Sequence, residues 1–160
     1  MTDMIADCPD LKDGATILIG GFGDAGVALE LIETVRDLNL RNLTVVSNGV
    51  GSGEYGLGLL IQSGSVGKMV CSYPRSSNSS IFEKLYVGGN IDLDVVPQGT
   101  MAERLRAGGA GIPAFYTATA YGTPLQAEKE TREFDGRNYI MERAIKGDVA
   151  LIQAAAGDRW

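Results

Sequence analysis

The stretch ILIGGFGDAGVALELIETV, residues 17–35, decides the fold. It opens on an apolar run and passes through Gly21-Phe22-Gly23-Asp24-Ala25-Gly26, which fits G-x-G-x-x-G. It then continues into a pattern that puts Leu31, Ile32, Val35 and Leu38 on one helical face. Strand, glycine turn and helix together make the opening unit of an α/β sheet. Such a turn gathers backbone N–H groups ahead of a helix N-terminus, a place suited to a pyrophosphate or a thioester. A nicotinamide site also needs an acidic residue where the second strand ends, to hold the ribose hydroxyls. Here that strand ends Ser47-Asn48-Gly49, with no Asp or Glu and no Arg close behind. The turn is therefore read as a site for another phosphate-bearing or acyl ligand, with a purely structural strand–helix turn and a nicotinamide site as the alternatives.

Outward from this unit the pattern keeps alternating. Ala15–Ile19, Leu43–Ser47, Lys68–Tyr73 and Ile91–Val96 read as strands; Val27–Leu40, Gly58–Ser63, Ser79–Gly89 and Thr100–Ala107 read as helical. Ser79 is an N-cap signal, and the glycines at 88 and 89 are a stop. Asp135-Gly136 between two strand-like arms over Glu133–Arg143 marks a hairpin, and Asp148–Ala155 is a last apolar strand. The expected fold is α/β, with a mostly parallel sheet and flanking helices, in one domain over residues 1–160. Most of the 22 glycines fall where strands end, which is where ligands bind in such sheets.

Composition narrows the function. With 44% apolar and 21% charged residues in 160 positions, the chain can bury a core of ordinary size. A net charge of −6 argues against a nucleic-acid or anionic-membrane partner, no apolar run is long enough to span a bilayer, and the acidic start MTDMIADCPD lacks the features of a signal peptide. A cytoplasmic location is the expectation. The chain has no histidine, which removes Ser-His-Asp, Cys-His and the common His-based metal sites; Cys8 and Cys71 fit no zinc spacing and read as structural thiols. No metal is expected. Chemistry here would rest on amides, hydroxyls, carboxylates, backbone groups or a residue of a different polypeptide.

Four blocks then point further: DGATILIGGFGDAG (13–26), LTVVSNG (43–49), VVPQGTMAERLRAGGAGIPAFYTATAYGT (95–123) and ETREFDGRNYIMERA (130–144). In this order they resemble the A (alpha) subunit of family I CoA-transferases, over nearly the whole chain. Within that family, KMVCSYPRSSNSSIFEKLY (68–86) and the ending GDRW look most like the 3-oxoadipate branch, the acetoacetate type being the rival. The resemblance implies a CoA-transferase fold (NagB/RpiA-like). It also implies a ping-pong enzyme whose B (beta) subunit contributes a glutamate that attacks succinyl-CoA, CoA then passing through an enzyme thioester to a 3-oxo acid. The usual Ser-Glu-Asn-Gly motif of that glutamate is not found here, so the chain reads as half an active site within a heterotetramer. Coenzyme A is then a substrate, and no cofactor is bound permanently.

Acyl transfer needs a nucleophile and donors for the oxyanion. Asn48, at a strand end beside glycines, and Gln98, after Pro97 and before a helix, are amide candidates; each could equally be a turn or cap residue. The resemblance assigns both to oxyanion stabilisation, and assigns Gly20, Gly21, Phe22, Gly23, Asp24, Ala25 and Gly26 to CoA binding. Ala28, Ala118 and Ala120 stand where the family commonly has Pro, Pro and Gly. The glycine-rich GGAGIPAFYT is read either as lining the active site or the A–B interface, or as a crossover. Arg75 could meet a carboxylate of a dicarboxylic substrate or be solvated, Arg104 and Arg106 read as surface charges, and Glu54 as a solvated loop carboxylate. The A subunits of the family usually run on by about a third beyond GDRW, so the chain reads as a domain without its usual C-terminal portion. The remaining alternative is a non-catalytic CoA-binding fragment.

Overall fold

The computed structural model describes residues 8–53, 55–75 and 78–158. They form two compact units. One runs up to Asp94 and takes up the chain again at Gly147; the other is Val95–Lys146.

The first unit is built on a five-stranded sheet in the order β4-β3-β2-β1-β8. Its strands are β1 (Thr16–Ile19), β2 (Leu43–Gly49), β3 (Val66–Tyr73), β4 (Asp92–Val95) and β8 (Val149–Leu151). β1 runs parallel to both β2 and β8, and β2 runs parallel to β3. Register puts Ile17, Val45 and Met69 in one row and Ile19, Ser47 and Cys71 in the next. Against this face pack α1 (Leu29–Asp37), α2 (Leu57–Gln62) and α3 (Ser80–Val87), through Ile32 and Val35, Leu60 and Ile61, and Phe82. Continuous apolar strands buried by helices are what a parallel sheet requires. Cys71 is fully enclosed in this layer; burial pushes its thiol up to about 12, which leaves it unreactive at neutral pH.

α1 and β8 are shorter than the sequence pattern implies, for local reasons. α1 starts at Leu29 because Ala28 takes the N-cap, and it ends at Asp37 because Asn39 turns to φ 54°. β8 stops at Leu151 because its partner β1 leaves the sheet at the glycine turn: the Gly20 N–H donates to the Leu151 carbonyl (3.1 Å), the last bond of that ladder. β2, by contrast, runs on through Asn48 to Gly49, which pairs with Tyr73.

The second unit holds α4 (Gln98–Gly109) and an antiparallel sheet of order β5-β7-β6. β6 (Thr131–Phe134) and β7 (Arg137–Arg143) form the expected hairpin, with Asp135 (φ 49°) and Gly136 (φ 73°) both left-handed, as a two-residue turn of this twist demands. The sequence pattern places no strand over Ala114–Thr117. The structure does: β5 covers these residues and pairs along β7 from Ala114↔Arg143 to Thr117↔Ile140.

The sequence pattern puts Arg104 on the surface of α4. Far from being a surface charge, its side chain is only 14% exposed; its Nη1 lies 3.8 Å from Glu142 and its Nε donates to the Arg143 carbonyl (2.7 Å). Glu142, 2% exposed, takes a second cation, Lys129 Nζ, at 2.6 Å. Arg106 does lie on the surface, paired with Glu103 (2.7 Å).

Ala120 sits at φ 68°, a conformation that costs an L-residue about 1 kcal/mol relative to glycine. Ala120→Gly is therefore expected to stabilise the protein by about 1 kcal/mol, read as a rise in the urea midpoint at unchanged slope.

Candidate functional site

A cavity of about 320 Å³ opens at the carboxyl ends of β1, β2 and β3. Its floor is Ile19, then Ser47, Asn48 and Gly49, then Tyr73: the last residues of three neighbouring parallel strands. Its walls are two glycine-rich loops, one after β1 (Gly21–Asp24 and Val27) and one after β2 (Val50–Ser52, Tyr55 and Gly56). Convergence of strand ends and their loops is how an open α/β sheet makes a ligand crevice.

The first loop is held tightly. The Phe22 and Ala25 amides donate to each other's carbonyls (2.9 and 3.1 Å), so those two N–H groups serve the loop itself. Gly21 has φ 117°, and a Cβ there would lie 2.6 Å from Val27 Cγ2 and 3.0 Å from the Ala25 carbonyl oxygen. Gly21→Ala thus combines backbone strain with a clash and is expected to cost about 2–3 kcal/mol, measured by denaturant unfolding. The same change should weaken ligand binding at the turn, because the loop must open to admit the methyl group.

The two loops are tied across the cavity mouth. The Ser52 hydroxyl donates to Asp24 Oδ1 at 2.5 Å. Hydrogen bonds from Ser52, then Tyr55, hold the Asp24 carboxyl below the usual range. A depressed carboxylate keeps its partners above that range and releases them as pH falls through it, so this tie persists at neutral pH and loosens only in acid. Sequence reasoning misses Ser52 and Tyr55, although Gly51-Ser52-Gly53 repeats after β2 the glycine signal seen after β1. Phe22, 64% exposed, stands edge-on to Tyr73 with ring centroids 6.5 Å apart, leaving two aromatic rings open at the rim. Arg75 completes the lining.

The first unit therefore brings Asn48 to one cavity with Gly21, Phe22, Gly23 and Asp24, while Gly20, Ala25 and Gly26 complete the same turn. Gln98 lies in the second unit, as the exposed first residue of α4 after the Pro97 N-cap. A cavity of about 400 Å³ lies within that unit, between the first turns of α4 (Gly99, Thr100, Glu103) and β5 (Phe115, Tyr116, Thr117). Glu54 falls outside the described residues. No described helix is long and apolar enough to cross a membrane.

Comparison with known proteins places this geometry. The family profile described as Coenzyme A transferase matches residues 1–160. The chain belongs to the coenzyme A transferase family. It is 53% identical over 150 residues to the A subunit of 3-oxoadipate CoA-transferase from Pseudomonas putida, covering 94% of this chain and 65% of that one. It is 51% identical over 148 residues to the A subunit of succinyl-CoA:3-ketoacid coenzyme A transferase from Xanthomonas campestris pv. campestris, covering 92% and 60%. The chain thus spans somewhat under two thirds of the length of these relatives. Among solved structures, glutaconate coenzyme A-transferase from Acidaminococcus fermentans superposes with a TM-score of 0.80 at 18% identity, over 94% of this chain and 54% of that one. An acyl-CoA transferase from Escherichia coli O157:H7 gives 0.79 at 23%, over 93% and 32%. These two likenesses bear on the fold, a mostly parallel sheet with flanking helices, as the sequence pattern implied.

Proposed function

We propose that this coenzyme A transferase chain is part of an A subunit that moves CoA from succinyl-CoA to a 3-oxo acid, 3-oxoadipate in the first place. It works with a B subunit that supplies the glutamate carrying the thioester, in a cytoplasmic heterotetramer. The observation that carries this reading is the cavity at the β1–β3 strand ends, with Asn48 on its floor and the glycine turn as its wall, in a chain about half identical to A subunits of that type. The chain has no histidine to activate a nucleophile of its own, which suits a division of labour between subunits.

Attack of a carboxylate on a thioester carbonyl puts negative charge on the carbonyl oxygen, and preorganised amide donors lower that barrier. Asn48 and Gln98 are each assigned this role. The Gly20–Gly26 turn approaches the CoA moiety with bare backbone, and Phe22 offers it an exposed ring. Coenzyme A enters and leaves as a substrate, with no cofactor held permanently.

The test is copurification with the B subunit, followed by a transfer assay from succinyl-CoA to 3-oxoadipate, with acetoacetate as rival acceptor. A stable complex that prefers 3-oxoadipate supports the reading. A complex that transfers CoA to neither acceptor overturns it.

A further inference from the structure

We propose that Arg75 selects the acceptor, binding the second carboxylate of a dicarboxylic 3-oxo acid in the strand-end cavity. This rests on the proposed function, since it names the substrate class of the same site.

A dicarboxylic acceptor uses one carboxylate in the transfer and keeps the other ionised throughout. That second charge must enter a cavity whose described lining is mostly aliphatic, aromatic and glycine. An unpaired carboxylate in such surroundings is strongly disfavoured, and a guanidinium able to grip it with two N–H groups removes the penalty. Among the described lining residues Arg75 is the one cation, and Asp24 is the one anion. Asp24 is already engaged by Ser52 and repels a second carboxylate, which leaves the Arg75 side as the place for it. The net charge of −6 makes a local cation more necessary still.

Arg75 is also poised to change partners. It follows the end of β3 by two residues, its side chain is 83% exposed, and its Nε lies 3.3 Å from Glu83 Oε1. Exposed pairs of this kind are weak, so an incoming carboxylate can displace Glu83. Glu83 keeps a second partner when it is released, because the Ser79 hydroxyl donates to its Oε1 at 2.8 Å. A monocarboxylic acceptor, its one carboxylate used in the transfer, has no second carboxylate for Arg75 to hold. The residue therefore discriminates between acceptors without touching the reacting carbonyl.

The experiment compares Arg75→Gln and Arg75→Lys with the unaltered protein, each in complex with the B subunit, for kcat/KM toward 3-oxoadipate and toward acetoacetate. Arg75→Gln should lower the 3-oxoadipate:acetoacetate ratio by about 10- to 100-fold, mostly through KM, and Arg75→Lys should restore part of it. An equal fall for both acceptors, or an unchanged ratio, overturns the proposal. Binding of adipate against hexanoate, by calorimetry on the same complexes, separates this result from failure of the functional reading. Adipate binding that is lost with Arg75→Gln supports the carboxylate site even where no CoA is transferred; equal binding of the two acids overturns it.

Discussion

Replacing Asn48 by alanine is expected to lower kcat for CoA transfer by about 10²–10³-fold, with KM for the acceptor changed little. Asn48 lies in the part of β2 that runs past β1 but remains beside β3: Ser47 is in register with both Ile19 and Cys71, and Gly49 pairs with Tyr73. The residues beneath it, Val45 and Val46, are buried. An amide held on such a platform needs no reordering when charge develops on a neighbouring oxygen. That is the condition under which one hydrogen-bond donor is worth several kcal/mol in the transition state and little in the ground state. On the proposed role for Asn48, Asn48→Asp keeps the shape but sets a negative charge against the oxyanion that role serves, so its loss should exceed that of alanine. The measurement is kcat and KM of both variants in complex with the B subunit, with the thermal midpoint recorded alongside. A full-rate Asn48→Ala enzyme would reduce Asn48 to a strand residue.

The second large effect concerns stability. Glu142→Ala is expected to cost about 3–5 kcal/mol, because it leaves Arg104 and Lys129 without the carboxylate that neutralises them in a poorly solvated place. Glu142 is 2% exposed, contacts Lys129 Nζ at 2.6 Å and sits opposite Phe115 in the β5–β7 ladder. The loss includes the cost of stranding two cations as well as the pair interaction itself. For a chain of this length it corresponds to a fall in midpoint of about 6–20 °C. Glu133→Ala, on the exposed strand β6, should stay within about 0.5 kcal/mol of the parent. Chemical denaturation of the two variants side by side measures the contrast. Equal stabilities would mean that the Glu142 cluster is solvated in solution.

Much of this is legible in the sequence because local signals and tertiary demands agree. The apolar runs 15–19 and 43–47 have no alternative but a covered sheet, the Gly21–Gly26 turn has to be tight, and Asp135-Gly136 can only reverse the chain. What the pattern misses depends on partners far away. Ala114–Thr117 follows Gly111 and Pro113 and resembles a loop until β7, more than twenty residues on, supplies its ladder. Arg104 carries every mark of a surface residue in a helix that also holds Glu103 and Arg106. Only the position of Glu142, given by the register of β7, draws it inward. In the candidate site, Asn48 and the turn are visible as glycine-flanked strand ends. The Ser52–Asp24 tie is not, since it joins residues 28 positions apart whose types are ordinary in loops.

The seating of β8 beside β1 has a consequence for the order in which a ribosome can build this protein. The Thr16 amide donates to Asp148 Oδ2 (2.7 Å), and the Asp148 amide returns a bond to the Thr16 carbonyl (2.8 Å), across a separation of 132 residues. At about 5–20 residues per second, β1 waits roughly 7–26 s for this neighbour to emerge. During that interval the growing chain carries an unpaired, apolar strand edge, the kind of surface that invites association with other nascent chains. Vectorial synthesis thus makes β8 a late partner for β1, and chaperone dependence should be raised in the time between translation of Ile19 and of Leu151.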